Sequence, residues 1–259
     1  MTRMICALDA SGSILLSRVY GAPAPEAFRT LVLLMSSSSN YAQHNGFDLR
    51  RLHSADCKLV FRRCKDDLLL ILVTNDLASE ESSLQTLLEA VLNGIVLILG
   101  DDTLFGRGSS QNRKRALARA APLIDTICSE DGPPLGLALG CVEMHPGDFE
   151  GADNRREMTK ALQAFAQEAD VEVAILFVNG CIRAATAHTW SLPPAELQLL
   201  QVLMWTLPSA ASRELPVHLP LTAPGGTARL VTCQLAPTAE VALLAAEEPS
   251  LARTEELVK

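Results

Sequence analysis

The sequence predicts an α+β chain of two similar domains in tandem, each a five-stranded antiparallel sheet sandwiched by helices. Three observations carry this. Short runs of apolar and β-branched residues, bounded by Gly, Pro, Asn and Asp, recur along the chain. The order strand–strand–helix–strand–strand–strand–helix occurs twice. Pro25 and Pro194, Leu31 and Leu200, and Met35 and Met204 fall at one constant spacing, each pair within a proline-led apolar helix. Duplication of one unit accounts for all three.

The elements of the first copy follow in order. Met4–Leu8 and Ile14–Val19 read as strands joined by Asp9-Ala10-Ser11-Gly12. Pro25 suits the first turn of a helix, which runs through "EAFRTLVLLM" and is expected to stop in the serine run Ser36–Ser39. Three strands come next: Phe47–His53, Cys57–Arg63 and Leu68–Thr74. The last, "LLLILV", is apolar on both faces, as a central strand covered on both sides must be. A long helix follows, which Ser79 can cap. Its residues Leu84, Leu87, Leu88, Val91 and Ile95 recur at helical spacing. A basic amphipathic helix covers about Gln111 to Cys128, and "SEDGPP", Ser129–Pro134, marks a boundary. The first domain is thus placed at 1–128, a linker at 129–153 and the second domain at 154–259.

The second copy opens with an added helix, about Arg155 to Ala169. "VAILFVNGCIRAATA" is again strand–turn–strand, turned by Asn179-Gly180. "SLPPAELQLLQVLM" is again a proline-led helix. Strands are expected at Leu215–Leu221, Arg229–Leu235 and Val241–Ala245. "SLARTEELVK" then begins a helix, so this copy reads as incomplete at its C-terminal end. The order β–β–α–β–β–β–α–α is that of longin domains, antiparallel meanders joined by short loops.

Composition bounds the function. Hydrophobic residues make up 48% of the 259, enough for two cores, and aromatics only 4%, so those cores are built of Leu, Val, Ile and Ala. A net charge of -8 argues against nucleic acid as a partner. Cys6, Cys57, Cys64, Cys128, Cys141, Cys181 and Cys233 show no metal-ligand spacing and read as buried, reduced thiols. The N-terminus does not read as a signal peptide. The longest apolar run, "GIVLILG", Gly94–Gly100, taken with the helix before it, is expected to fall short of a bilayer span. A soluble, cytoplasmic protein is the expectation.

The motifs offer little catalysis. "DASGS", Asp9–Ser13, resembles the first phosphate loop of actin-type ATPases, but turn chemistry alone explains it, and its twin "VNGC" has no acid. "PGGT", Pro224–Thr227, is the other glycine-rich turn. "GRGSSQNRK", Gly106–Lys114, lacks the lysine–hydroxyl ending of a P-loop. His44, His53, His145, His188 and His218 are scattered, and Glu143 with His145 is too weak for a metal site. No cofactor, metal or catalytic residue is assigned.

Surfaces are more informative. Arg50, Arg51, Lys58, Arg62, Arg63 and Lys65 lie on neighbouring strands, where they either protect an edge or pair it with a partner. Arg107, Arg113, Lys114, Arg115 and Arg119 crowd one helix. That is either a solvated face or, for Arg113, Lys114, Arg115 and Arg119, a contact with anionic lipid headgroups. The first helix carries Phe28, Leu31, Val32, Leu33, Leu34 and Met35, too apolar for a helix with one wet face. Leu33 and Arg29 sit together off its main stripe. With Arg50 and Arg51 they form the expected partner-binding set.

"LLLILVTNDLASEESSLQTLLEAVLNGIVLILG", "FVNGCIRAATAHTWSL" and "TLPSAASRELPVHLP" resemble, in order and spacing, the Fuzzy family of planar cell polarity effectors from about Met4 to Ala246. That family is in turn similar to the three-longin subunits of heterodimeric Rab activators such as the Hermansky–Pudlak and Mon–Ccz complexes. The resemblance implies a non-catalytic subunit that pairs with Inturned to act as a guanine nucleotide exchange factor for a Rab-family GTPase of ciliary and Hedgehog signalling. It implies other ciliogenesis and planar-polarity effector subunits as partners, and a cytoplasmic location at the basal body and cytoskeleton. It also implies a third longin domain, for which these 259 residues leave no room. A longin-type trafficking adaptor without exchange activity, and an actin-like ATPase built on "DASGS", are the alternatives.

Overall fold

A computed structural model describes residues 2–21, 26–65, 68–106, 109–129, 152–208, 210–223 and 226–245. The first unit contains β1 (Thr2–Leu8), β2 (Ile14–Gly21), α1 (Glu26–His44), β3 (Arg51–His53), β4 (Lys58–Arg63), β5 (Leu69–Thr74), most of α2 (Glu81–Phe105) and α3 (Ser110–Cys128). The second contains α4 (Ala152–Glu168), β6 (Val173–Val178), β7 (Cys181–Ala185), a 3-10 turn (Ala187–Ser191), α5 (Pro194–Thr206), β8 (Ser212–Val217), β9 (Ala228–Ala236) and β10 (Ala239–Ala245). Each unit holds one five-stranded sheet with every pairing antiparallel. The strand orders are β2-β1-β5-β4-β3 and β7-β6-β10-β9-β8. The two orders are the same path traced twice, as duplication requires.

Alternation along the strands assigns the two faces of the first sheet. Met4, Cys6 and Leu8 of β1, Leu59 and Phe61 of β4, and Leu69, Ile71 and Val73 of β5 form one core with Val32 of α1. The other set, Ile5, Ala7, Val60, Leu70 and Leu72, is equally buried. On that face α2 is tied to the sheet by Arg51–Glu81 and Arg62–Glu89, and α3 packs on β2. In the second sheet, Leu162, Ala166 and Ala169 of the α4 region cover Ala174, Val231, Val241 and Leu243.

Contacts divide the chain into Met1–Ile95 with Asp101–Pro134, and Val96–Gly100 with Leu135–Lys259. The expected linker at 129–153 lies almost wholly outside the described residues, as do Pro23, Pro25 and the C-terminal "SLARTEELVK"; α4 begins at Ala152.

Four local expectations are corrected. First, α1 does not stop in the serine run. Ser37 and Ser38 donate their hydroxyls to the carbonyls of Leu33 (3.3 Å) and Leu34 (3.0 Å), while Ser36 and Ser39 are buried. The helix ends instead in a Schellman turn at Gly46, φ 79°, with Phe47 N–H donating to Ala42 and Gly46 N–H to Gln43. That turn takes Phe47 out of β3, which shortens to Arg51–His53. Second, Ser79 does not cap α2. The N-cap is Glu80, and the Ser79 hydroxyl donates to Asp76.

Third, α2 is interrupted at Gly100, whose φ of 71° no ordinary side chain favours. At 25 residues, α2 is long and apolar enough by composition to cross a membrane, against the expectation that this stretch falls short of a bilayer span. Its stripe Leu84, Leu87, Leu88, Val91 and Ile95 is nevertheless buried within the protein. Fourth, β8 runs Ser212–Val217 rather than Leu215–Leu221. The buried Glu196 carboxylate accepts the N–H groups of Leu221 (2.6 Å) and Thr222 (3.0 Å) and so holds that stretch out of the sheet.

Candidate functional site

The "DASGS" segment is a braced hairpin. Asp9 N–H donates to Ser13 O (3.1 Å) and Gly12 N–H to Asp9 O (2.9 Å), with Gly12 at φ 80°. The buried Asp9 carboxylate accepts from Ser11 N (3.0 Å), Ser13 N (2.9 Å) and the Ser11 hydroxyl (2.6 Å) on one oxygen. On the other it accepts from the Ser110 hydroxyl (2.6 Å), at the start of α3. Burial raises the carboxyl's pKa, but the bonds from Ser11, Ser110 and Ser13 outweigh it and hold it below the usual carboxylate range. A carboxylate committed to three donors of its own turn and to the Ser110 hydroxyl of α3 organises local structure rather than a metal–phosphate group.

The other motifs are likewise structural. Ser109 caps α3 by accepting Asn112 N–H (3.3 Å), and Arg113 donates to Gly106 O (2.9 Å). Of the four residues proposed for lipid contact, Arg113 is therefore turned inward, whereas Lys114, Arg115 and Arg119 are exposed. Arg107, Glu143, His145, Cys141, Pro224 and Gly225 lie outside the described residues. Among the described residues no group of three His, Cys, Asp or Glu is placed to hold a metal ion. Cys6, Cys57, Cys128 and Cys233 are buried. Burial pushes Cys128 up to about 12 and Cys64 up to about 11, which makes both poor nucleophiles.

What stands out is the outer face of α1. Its inner face, Val32 with Leu31 and Met35, packs on the sheet. Its outward residues from Thr30 to Tyr41 are Thr30, Leu33, Leu34, Ser37, Ser38 and Tyr41, none of them charged. Leu33 is 49% exposed, Leu34 58% and Tyr41 74%. The repeat provides an internal control. At the constant spacing that pairs Leu31 with Leu200, Leu33 and Leu34 correspond to Val202 and Leu203 of α5, which are 0% and 2% exposed. Every residue of α5 from Glu196 to Met204 is buried, so this helix is covered all round, while its twin α1 is covered on one side.

The other surface residues fall into two groups. Arg50 is exposed and donates to Asp48 (3.0 Å). Arg51 pairs with Glu81 of α2, and His53 lies 2.9 Å from the same carboxylate. Because Arg51 is opposite Val60 and bound to α2, it belongs to the sheet face away from α1. The four residues expected together are therefore not one patch. Leu33 lies on the outer face of α1, Arg51 serves α2, and the Arg29 side chain is outside the described set. Lys58 donates to Ser79 O (2.7 Å), Arg62 pairs with Glu89, Arg63 donates to Ser39 and Asn40 of α1, and Lys65 pairs with Asp101. Arg62 and Arg63 thus staple helices to the sheet, and Lys58 holds the segment that leads into α2. Leu34, more exposed than Leu33, was missed; its signal was its place beside Leu33 and one turn before Ser38.

Residues 3–127 match the family model described as the first longin domain of FUZ, MON1 and HPS1. The chain is 28% identical to the protein fuzzy homolog of Xenopus tropicalis over 252 residues, 97% of this chain and 59% of that protein. It is also 28% identical to the human protein fuzzy homolog over 255 residues, with 96% and 59% covered, and 27% identical to that of Mus musculus over 253 residues. The chain thus spans about three fifths of the length of these relatives.

Proposed function

We propose that the chain, a Fuzzy-like longin protein of two tandem α+β domains, is a non-catalytic scaffold that pairs through its first domain with a longin partner of the Inturned kind, and that the pair promotes nucleotide release from a Rab-family GTPase. The carrying observation is the uncovered apolar face of α1, set against the fully covered α5. Contiguous exposed apolar residues mark contact surfaces. A neutral, serine-interrupted face lets a second helix or sheet approach closely without stranding a charge. An exchange factor binds the nucleotide-poor GTPase better than the loaded one, a population shift that needs no nucleophile. The remaining effector subunits, and a cytoplasmic site of action at the cilium base, belong to the same reading.

The test is a pull-down with Inturned followed by a GDP-release assay. Leu33→Asp, at a half-exposed position, leaves the circular dichroism spectrum unchanged and weakens pairing by about thirtyfold. Arg50→Glu is added to neutralise the exposed cation near the β3 edge, while Arg51 is left intact because its pairing with Glu81 holds α2. A folded Leu33→Asp/Arg50→Glu protein that pairs at wild-type affinity refutes the surface. Pairing without any stimulated GDP release assigns the adaptor function instead.

A further inference from the structure

We propose that the free edge of β2 takes up an extended, acidic segment of a partner protein by strand addition. Among the described residues, β2 is the least defended of the four sheet edges. It is eight residues long, "ILLSRVYG", with no proline and no lysine. Its pairing with β1 is irregular only beside the hairpin, between Ala7 and Leu8. The other edges are blunted: β3 has three residues, β7 has five, and β8 carries Pro216. Among the described residues, β2 pairs with β1 alone, so its outward N–H and C=O groups have no protein partner. Only another extended backbone satisfies a row of alternating donors and acceptors.

The charge of the occupant follows from α3. This helix runs beside β2 along its whole length, joined at one end by Ser110–Asp9 and at the other by Tyr20–Asp125 (2.9 Å) and Arg18–Asp125 (3.4 Å). Nineteen helical residues at ~1.5 Å and eight strand residues at ~3.4 Å span nearly the same distance. Lys114 precedes Asp125 by three helical turns and so shares the side of α3 that borders β2. Arg115 and Arg119 lie further round, on the exposed side of the helix. From Ser110 to Ile124 the helix contains no acid, and among the described residues Lys114, Arg115 and Arg119 have no ion-pair partner. Asp125, the acid at this edge, is engaged by Arg18 and Tyr20.

The faces of β2 set the pattern of the incoming strand. Arg18 and Tyr20 point to the α3 side, and Val19, 39% exposed, to the α1 side. A strand with Glu or Asp alternating with Val or Ile meets both: acids toward Arg18 and Lys114, apolar side chains toward Val19. Leu33 and Arg50 take no part, so failure of the α1 pairing and failure of this site are separable.

The probe is a fluorescent, capped heptapeptide of alternating Glu and Val, with a Lys–Val peptide and phosphatidylserine-containing vesicles alongside, on the full chain. The Glu–Val peptide is expected to bind and to slow amide exchange within 15–21 while leaving 51–53 unchanged. Lys114→Glu with Arg115→Glu weakens it by about tenfold or more, and Leu33→Asp has no effect. The proposal is overturned if the peptide does not bind, if it binds without protecting β2, if the double charge reversal leaves affinity unchanged, or if the Lys–Val peptide binds as well. Vesicle binding abolished by the reversal, with no Glu–Val peptide binding, would assign these cations to a membrane and likewise overturn it.

Discussion

Removing the Asp9 carboxylate tests whether the first hairpin is a structural brace. Asp9→Ala deletes the acceptor of two backbone N–H groups and two hydroxyls. Hydrogen bonds to a charged acceptor each contribute about 1.5–3 kcal/mol at most. Ser11, Ser13 and Ser110 are exposed, so water satisfies the donors once the carboxylate is gone. The net cost is then about 2 kcal/mol, as for loss of a strong helix cap. In a unit of this size that lowers the melting temperature by about 8 °C.

The pH dependence has a fixed sign. The folded-state pKa of Asp9 lies below its ordinary value of 3.8, so the stabilisation is complete above that value and is lost as pH falls through the folded one. The difference between wild type and Asp9→Ala in urea unfolding should therefore be constant from neutral pH to about pH 5 and narrow below about pH 4. Asp9→Asn retains one acceptor oxygen for the backbone and gives an intermediate, pH-independent loss. A loss under about 0.5 kcal/mol for Asp9→Ala, or a difference that does not narrow in acid, refutes the brace. Loss of a measurable ATPase activity in that variant would revive the phosphate-loop reading.

Two further perturbations probe the second unit. Gly180 sits at φ 74° under the Trp205 indole, whose Nε1–H donates to its carbonyl (3.0 Å). Gly180→Ala is expected to cost about 2 kcal/mol or more and to shift Trp205 emission. An unshifted spectrum with wild-type stability counts against this packing. Glu196→Ala leaves the N–H groups of Leu221 and Thr222 without their acceptor, so the chain there should gain amide exchange and the unit lose about 2 kcal/mol in urea. Unchanged exchange at Leu221 and Thr222 would show that the carboxylate does not hold them.

Strands, hairpins and the duplication were legible because they rest on local rules: alternation, turn residues and a repeated order. The failures came where two local rules compete. Serine favours helix ends, yet here Ser37 and Ser38 bond back to Leu33 and Leu34 and Ser36 and Ser39 are buried, so α1 continues. The end of β8 was set by Glu196, distant in sequence, which no window around Leu221 contains. The separation of Arg50 from Arg51, by contrast, was available beforehand. Successive residues on a strand face opposite ways, so the two could not both flank α1.

The exposed face of α1 was the part no periodicity could supply, because Leu33, Leu34 and Met35 of α1 and Val202, Leu203 and Met204 of α5 are apolar at the same places and yet differ in what surrounds them. Val202 and Leu203 are covered and Leu33 and Leu34 are not, although the two helices occupy the same place in the same fold. Leaving about half of each leucine in water forgoes about 1 kcal/mol per side chain relative to full burial. A partner that covers both thus gains about 2 kcal/mol, or about thirtyfold in affinity, from these two residues alone. Leu33→Asp removes one leucine's share and adds the cost of desolvating a carboxylate, which brings the single substitution to a similar magnitude. A second variant separates contact from fold. Leu33→Met conserves apolar volume and should keep affinity within about threefold. If Met and Asp at this position weaken pairing equally, the leucine is supporting α1 from within the domain, and the uncovered face is not where the partner binds.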